Sequence, residues 1–103
     1  MAKNVSVVEA AQLLGQQTAV LLDVREHDEW LTVRAPGALH IPMGQVSTST
    51  DRLPPDRTIA CICHVGRRSA VVTEALVGAG YDAVNVDGGM DAWEAAGLPV
   101  ERG

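Results

Sequence analysis

Phenylalanine is absent from this chain of 103 residues, and its aromatic side chains come down to Trp30, Tyr81 and Trp93. A core without many large rings has to be filled by Val, Leu, Ile and Ala, which suits strands buried on both faces of a parallel sheet. Cysteine is nearly as scarce, with only Cys61 and Cys63. Two thiols one residue apart make no disulfide framework, and on an extended strand their α-carbons stand about 6.5 Å apart, at the long end for a bridge. A Cys61–Cys63 disulfide is expected only as an oxidised by-product. None of the three histidines stands at ligand spacing to this pair, so a zinc site is not expected.

Basic residues are also in deficit, with eight Lys and Arg against thirteen Asp and Glu, a formal net charge of −5. Nucleic acid and anionic membrane surfaces both require a basic footprint, so neither is an expected partner. No apolar run is long enough to span a bilayer, and Met1-Ala2-Lys3-Asn4 begins no signal-type apolar segment. The expected location is the cytoplasm. What the chain does have is 47% apolar and 20% charged residues. Its length and composition imply one folded domain over residues 1–103 with a single core.

Helix and strand signals alternate along the chain. Ser6-Val7-Val8-Glu9 is a capping box, and Val8, Ala11 and Leu14 follow at helical spacing, which predicts a helix from Val7 to Gly15. Ala19 to Val24 is a continuous apolar run ending near Asp23, the mark of a strand buried on both faces. Glu26 to Leu31 reads as a short helix in which Trp30 packs and His27 faces solvent. After the Pro36-Gly37 turn come a brief strand, Leu39-His40-Ile41, and a polar stretch from Met43 to Leu53 that reads as a weak helix or irregular loop, broken by Pro54-Pro55. The run Thr58 to Ile62 is a strand, and Ala70 to Leu76 an amphipathic helix closed by Gly78 and Gly80. Tyr81 to Val86 is a last strand, and Met90 to Ala96 a last helix whose Trp93 packs on the sheet. Such alternation implies an α/β fold: a small parallel sheet with helices on both faces and ligands beyond the strand carboxyl ends.

The chemistry gathers between the strand that ends at Ile62 and the helix behind it. Cys63-His64-Val65-Gly66-Arg67-Arg68-Ser69 is a strand end, a glycine turn with two arginines and a helix start in one sweep. Backbone N–H groups converging in such a turn, together with the helix N-terminus, hold anions and acidify a thiol. Cys61 reads as a small buried hydrophobe, whereas the Gly-Arg-Arg-Ser after Cys63 makes little sense as core. Asp23 and Arg25 end a neighbouring strand that could point the same way, where Asp23 is expected to orient an arginine or the loop amides rather than act as an acid. Arg25, Arg67 and Arg68 make a local basic pocket in an acidic chain, suited to a small anion.

Cys63 to Ser69 resembles the active-site loop C-x-x-G-x-R-[ST] of the rhodanese family. Leu21-Leu22-Asp23-Val24-Arg25-Glu26 is similar to that family's L-D-V-R-E, Gly88-Gly89-Met90-Asp91-Ala92-Trp93 to its G-G-x-x-x-W, and Gly97-Leu98-Pro99-Val100 to its closing G-L-P-V. Val33-Arg34-Ala35-Pro36-Gly37-Ala38 departs from the family's G-H-I-P-G-A and lacks the glycine–histidine pair.

The resemblance implies a rhodanese-like fold and a thiosulfate sulfurtransferase in which Cys63 becomes a persulfide. The N–H groups of His64, Val65, Gly66, Arg67, Arg68 and Ser69 would surround the transferred sulfur, and the Arg67 and Arg68 guanidiniums would hold an anionic donor, with Asp23 and Arg25 in support. Cyanide, a thiol or a sulfur-accepting protein would take the sulfur, and no metal or organic cofactor is implied. Two other readings share the loop: a persulfide carrier serving a protein partner, and a cysteine phosphatase or arsenate reductase. The latter enzymes have loops one residue longer than the six residues from Cys63 to Arg68.

Overall fold

The computed structural model describes residues 3–103. The elements run in the order β1 (Asn4–Val5), α1 (Val7–Gly15), β2 (Ala19–Asp23), α2 (His27–Thr32), β3 (Val33–Arg34), β4 (Leu39–His40), β5 (Thr58–Ile62), α3 (Arg67–Gly78), β6 (Ala83–Val86), α4 (Gly89–Ala95) and β7 (Glu101–Arg102). Two short 3-10 helices, Met43–Thr48 and Thr50–Arg52, occupy the polar stretch before Pro54. Among the described residues, no helix is long and apolar enough to cross a membrane.

Five strands form one parallel sheet in the order β1-β6-β5-β2-β4. The central strands alternate their side chains between two cores, as the two-residue period of a strand demands. Leu21, Ala60, Ile62 and Val84 meet Val7 and Ala10 of α1 and Met90 and Trp93 of α4 on one face. Leu22, Ile59, Cys61 and Ala83 meet Val72 and Leu76 of α3, with Val46, on the other. Cys63 lies one strand period beyond Cys61 and joins the α3 side.

The predicted α1 matches the structure residue for residue, capping box included: Glu9 N donates to Ser6 Oγ at 3.0 Å and Ser6 N to Glu9 Oε1 at 3.4 Å. The limits of β5 match as well. Three strands of two residues were not expected. β1 adds to the sheet edge beside β6, and β3 pairs antiparallel with β7, so the end of the chain is tied back against Val33 and Arg34. Strands so short carry no period for a sequence to display. The β3–β7 ribbon occupies the place where the glycine–histidine pair is missing. There Arg34 donates to Trp30 O at 3.2 Å and lies 3.6 Å from Glu101.

Several element boundaries differ from expectation: β2 ends at Asp23 rather than Val24, α2 runs His27–Thr32 rather than Glu26 to Leu31, β4 ends at His40 rather than Ile41, and α4 runs Gly89–Ala95 rather than Met90 to Ala96. The third helix starts at Arg67, so Arg67, Arg68 and Ser69 form its first turn rather than the loop before it. Gly66, at φ 99°, makes this early start possible, because a left-handed residue turns the chain directly into the helix. The last sheet strand begins at Ala83, which leaves Tyr81 and Asp82 in the connection.

Candidate active site

Cys63 leaves the carboxyl end of β5 and points its sulfur at the N-terminus of α3. Three polar groups face it: Gly66 N–H at 3.2 Å, Ser69 N–H at 3.4 Å and the Ser69 hydroxyl oxygen at 3.2 Å. The opposite side of the loop explains why the amides turn inward. Met90 N donates to Cys63 O at 2.7 Å and Asp91 N to His64 O at 3.0 Å, so the free amides of the first turn of α4 draw both carbonyls away from the sulfur. One helix start therefore binds the loop's oxygens and another meets its thiol.

The two cysteines are both free and both buried, yet their environments differ. Burial would raise the Cys63 pKa and is the largest single influence, but the Ser69 hydroxyl and the amides of Ser69, Gly66 and Arg68 together outweigh it, and the net shift is downward. Burial pushes the Cys61 thiol up to about 11. The more readily ionised thiol is thus the one with amides around it, while its neighbour two residues back stays a neutral core side chain.

Arg68 does not stand free beside the sulfur. Its guanidinium makes a bidentate pair with Glu29 of α2, at 2.7 and 2.9 Å. A planar fork on a carboxylate fixes the position of a long side chain well. Glu29 was not among the expected residues. The hydrogen bonds from Arg68 lower its pKa from 4.5 to about 2. Its ionised form therefore favours the folded state at neutral pH, a contribution lost as pH falls from 4.5 through about 2. In Glu29→Gln, the melting temperature should fall relative to the parent at pH 7, and the gap should close in acid over that range. A gap of constant size from pH 7 to pH 2 would show that ionisation of Glu29 plays no part.

Arg25 is likewise engaged. It is 3% exposed and lies against Asp23, which is fully buried, with Nε 3.0 Å from both carboxylate oxygens and Nη2 2.8 Å from Oδ2. Nη2 also donates to Val33 O at 2.6 Å. This pair braces α2 against the sheet end and leaves Arg25 little to offer a donor anion. Arg67 is exposed, and among the described residues no ion pair or side-chain hydrogen bond involves it. The His64 ring is also exposed and lies 3.8 Å from Asp91, so what His64 and the exposed Val65 bring to the sulfur's surroundings is backbone. A cleft of about 290 Å³ beside the loop is lined by His64 and Met90 on one side and by Asp28, Glu29 and Thr32 on the other. No cluster of three or more His, Cys, Asp or Glu able to hold a metal occurs among the described residues.

Asn85 and Gly89 escape sequence reasoning. Asn85 of β6 sits in register with Cys61 of β5, 3% exposed, and bonds both Ser69 and Gly66. A polar residue inside the apolar strand Ala83-Val84-Asn85-Val86 is the available signal. Along the sequence Gly89 shows only as part of the Gly88-Gly89 motif, with no sign that a Cβ there would run into the Cys63 and His64 carbonyls.

With this geometry in hand, comparison with known proteins gives a consistent result. The family model of the rhodanese-like domain matches residues 6–96. YtwF of Bacillus subtilis, provisionally named a sulfurtransferase, is 40% identical over 79 residues, which cover 77% of each chain. YrkF of the same organism, provisionally named a sulfur carrier protein, is 39% identical over 74 residues, 71% of this chain and 40% of that one. Among solved structures, a rhodanese-related protein from Thermoplasma volcanium superposes with a TM-score of 0.89 at 28% identity, covering 96% of this chain and 97% of its own.

Proposed function

The chain belongs to the rhodanese-like domain family, and from that premise we propose that it is a sulfurtransferase that moves a sulfane sulfur from thiosulfate, or a similar anionic donor, through a Cys63 persulfide. The observation that carries this reading is the sulfur of Cys63 facing two backbone amides and a hydroxyl at the start of a twelve-residue helix. That arrangement favours an anion at the sulfur.

The reaction divides into two displacements. The Cys63 thiolate attacks the outer sulfur of thiosulfate, a new S–S bond forms, and the donor's own S–S bond breaks. Sulfite leaves with the electron pair, and the charge remains on the outer sulfur of Cys63–S–S⁻. The amides of residues 64–69 hold that sulfur. A nucleophilic acceptor, cyanide or a thiolate, then takes it and returns the Cys63 thiolate. Charge balances in both halves, and neither needs an oxidant. Arg67 is the guanidinium best able to meet the donor's oxygens. Arg68, paired with Glu29, holds the first turn of α3 in place for the amides behind it.

The test is the intact mass of the protein after incubation with thiosulfate, followed by cyanide. A gain of one sulfur atom, lost on adding cyanide as thiocyanate appears, is the expected result. Absence of the gain would overturn the reading. The provisional name of YrkF supports a second reading, a persulfide carrier. In that case the sulfur loads, but turnover on thiosulfate and cyanide stays negligible.

A further inference from the structure

The hydroxyl nearest the nucleophile has one proton and two acceptors. Ser69 Oγ lies 2.6 Å from Asn85 Oδ1 and 3.2 Å from Cys63 Sγ, and a serine carries a single O–H. The Asn85 amide is not free to turn over and release it. Its Nδ2 donates to Gly66 O at 3.2 Å and to Asn4 Oδ1 at 3.0 Å, and the flipped amide would set its oxygen against both of those acceptors. The short contact therefore carries the Ser69 proton. The longer contact to sulfur is then the thiol's own S–H donating to Ser69 Oγ. A chain of donors runs from Cys63 through Ser69 to Asn85, closed from water at all three residues.

A thiolate has no proton to place in that chain. With the hydroxyl still turned to Asn85, a lone pair of Ser69 would face the negative sulfur. On the sulfurtransferase reading given above, we propose that Asn85 is a positioning residue that holds the Ser69 hydroxyl proton away from Cys63 while the sulfur is a neutral thiol, and yields it when the sulfur becomes anionic. On ionisation the S–H bond breaks and its proton leaves to solvent. The Ser69 O–H then rotates from Asn85 Oδ1 to Sγ, and no other bond is made or broken. The rotation leaves the buried Asn85 carbonyl without a donor, which opposes ionisation. Once a persulfide has formed, the charge sits on the outer sulfur and the proton returns to Asn85.

The other titratable or charged groups on the elements packed around Cys63 are Cys61 on β5, His64 in the loop, Arg67 and Arg68 on α3 with Glu29 of α2 paired to Arg68, and Asp91 of α4 beside His64. β6 and β1 contribute only the uncharged Asn85 and Asn4.

The test is the rate of alkylation of Cys63 by iodoacetamide as a function of pH, with the modified residue identified by peptide mass. It is measured in the parent, Asn85→Leu, Ser69→Ala and the double variant. In Asn85→Leu the hydroxyl loses its competing acceptor, and the midpoint is expected to fall by roughly one unit, the scale of one hydrogen bond to a charged group. In the Ser69→Ala background the same substitution is expected to cause no shift. A midpoint that rises or stays put in the parent background, or that moves equally in both, would overturn the proposal. Should Asn85→Leu not fold, Asn85→Ser, whose shorter side chain falls short of Ser69, carries the same expectations. The titration uses no sulfur donor. Failure of the parent to gain sulfur from thiosulfate would thus remove the transferase reading and leave the role of Asn85 still measurable.

Discussion

Cys63→Ser is expected to abolish the gain of one sulfur atom from thiosulfate and all transfer to cyanide, while the melting temperature stays near that of the parent. The size of the effect follows from the chemistry. A serine hydroxyl has no accessible anion at neutral pH and forms no S–S bond, so amides poised around it do not rescue the reaction. The fold should tolerate the change because Gly66 N–H and Ser69 N–H are donors that an oxygen in the same place also accepts, and a serine O–H there can donate to Ser69 Oγ as the thiol does. Cys61→Ser makes the contrast. That side chain is fully buried in the α3-side core, where a new hydroxyl costs about 1–3 kcal/mol of stability, and sulfur loading should persist at temperatures where the variant remains folded. Equal loss of loading in both folded variants would show that the roles of the two cysteines have been wrongly divided. Unfolding curves and intact masses, measured side by side, decide it.

Gly89→Ala is the second change with a large expected effect, although Gly89 carries no reactive group. A Cβ at this position would lie 2.3 Å from Cys63 O and 2.5 Å from His64 O, on a residue whose φ is +59°. Neither carbonyl is free to retreat, since Met90 N and Asp91 N hold them from the same helix turn. The backbone cost of the left-handed conformation adds about 1–2 kcal/mol. Relief requires that the Cys63 peptide and the first turn of α4 move apart, which turns the loop amides off the sulfur. We expect a loss of about 3 kcal/mol or more in stability. In the protein that still folds, sulfur loading should slow on the order of a hundredfold, as misplacement of a reacting group by about 1 Å does elsewhere. Gly15→Ala is the control: a Cβ added at Gly15, in α1, would meet nothing within 4 Å, and its backbone is outside the left-handed region. Denaturant unfolding and the rate of mass gain should separate the two substitutions clearly, and parity between them would refute the close approach of Gly89 to the loop.

Legibility in the sequence tracked the range of the forces involved. The cap of α1 was readable because Ser6 and Glu9 act on each other's backbone three residues apart. The continuous apolar runs of β2 and β5 showed that both faces of those strands are covered, and the structure covers them with α1 and α4 on one side and α3 on the other. By contrast, β1, β3 and β7 are two-residue segments whose pairing is decided by what lies beside them. The arginines were legible as charges, and Asp23 as an orienting partner for one of them, but which arginine meets which carboxylate was not. Arg68 meets Glu29 across 39 residues, and Arg25 turns on Asp23 two residues away instead of joining a common pocket.

By itself the chain determined the parallel α/β architecture and the singular character of Cys63. The causes are local: apolar runs that must be buried, a glycine that turns directly into a helix, and the helix amides that follow it. Only the tertiary structure decided how that thiol is surrounded. Asn85 is brought to Ser69 and Gly66, and the first turn of α4 to the Cys63 and His64 carbonyls, by the registry of β5 against β6. Those contacts join residues 16 to 27 positions apart, and no periodicity along one segment encodes which buried polar group will find another across a sheet.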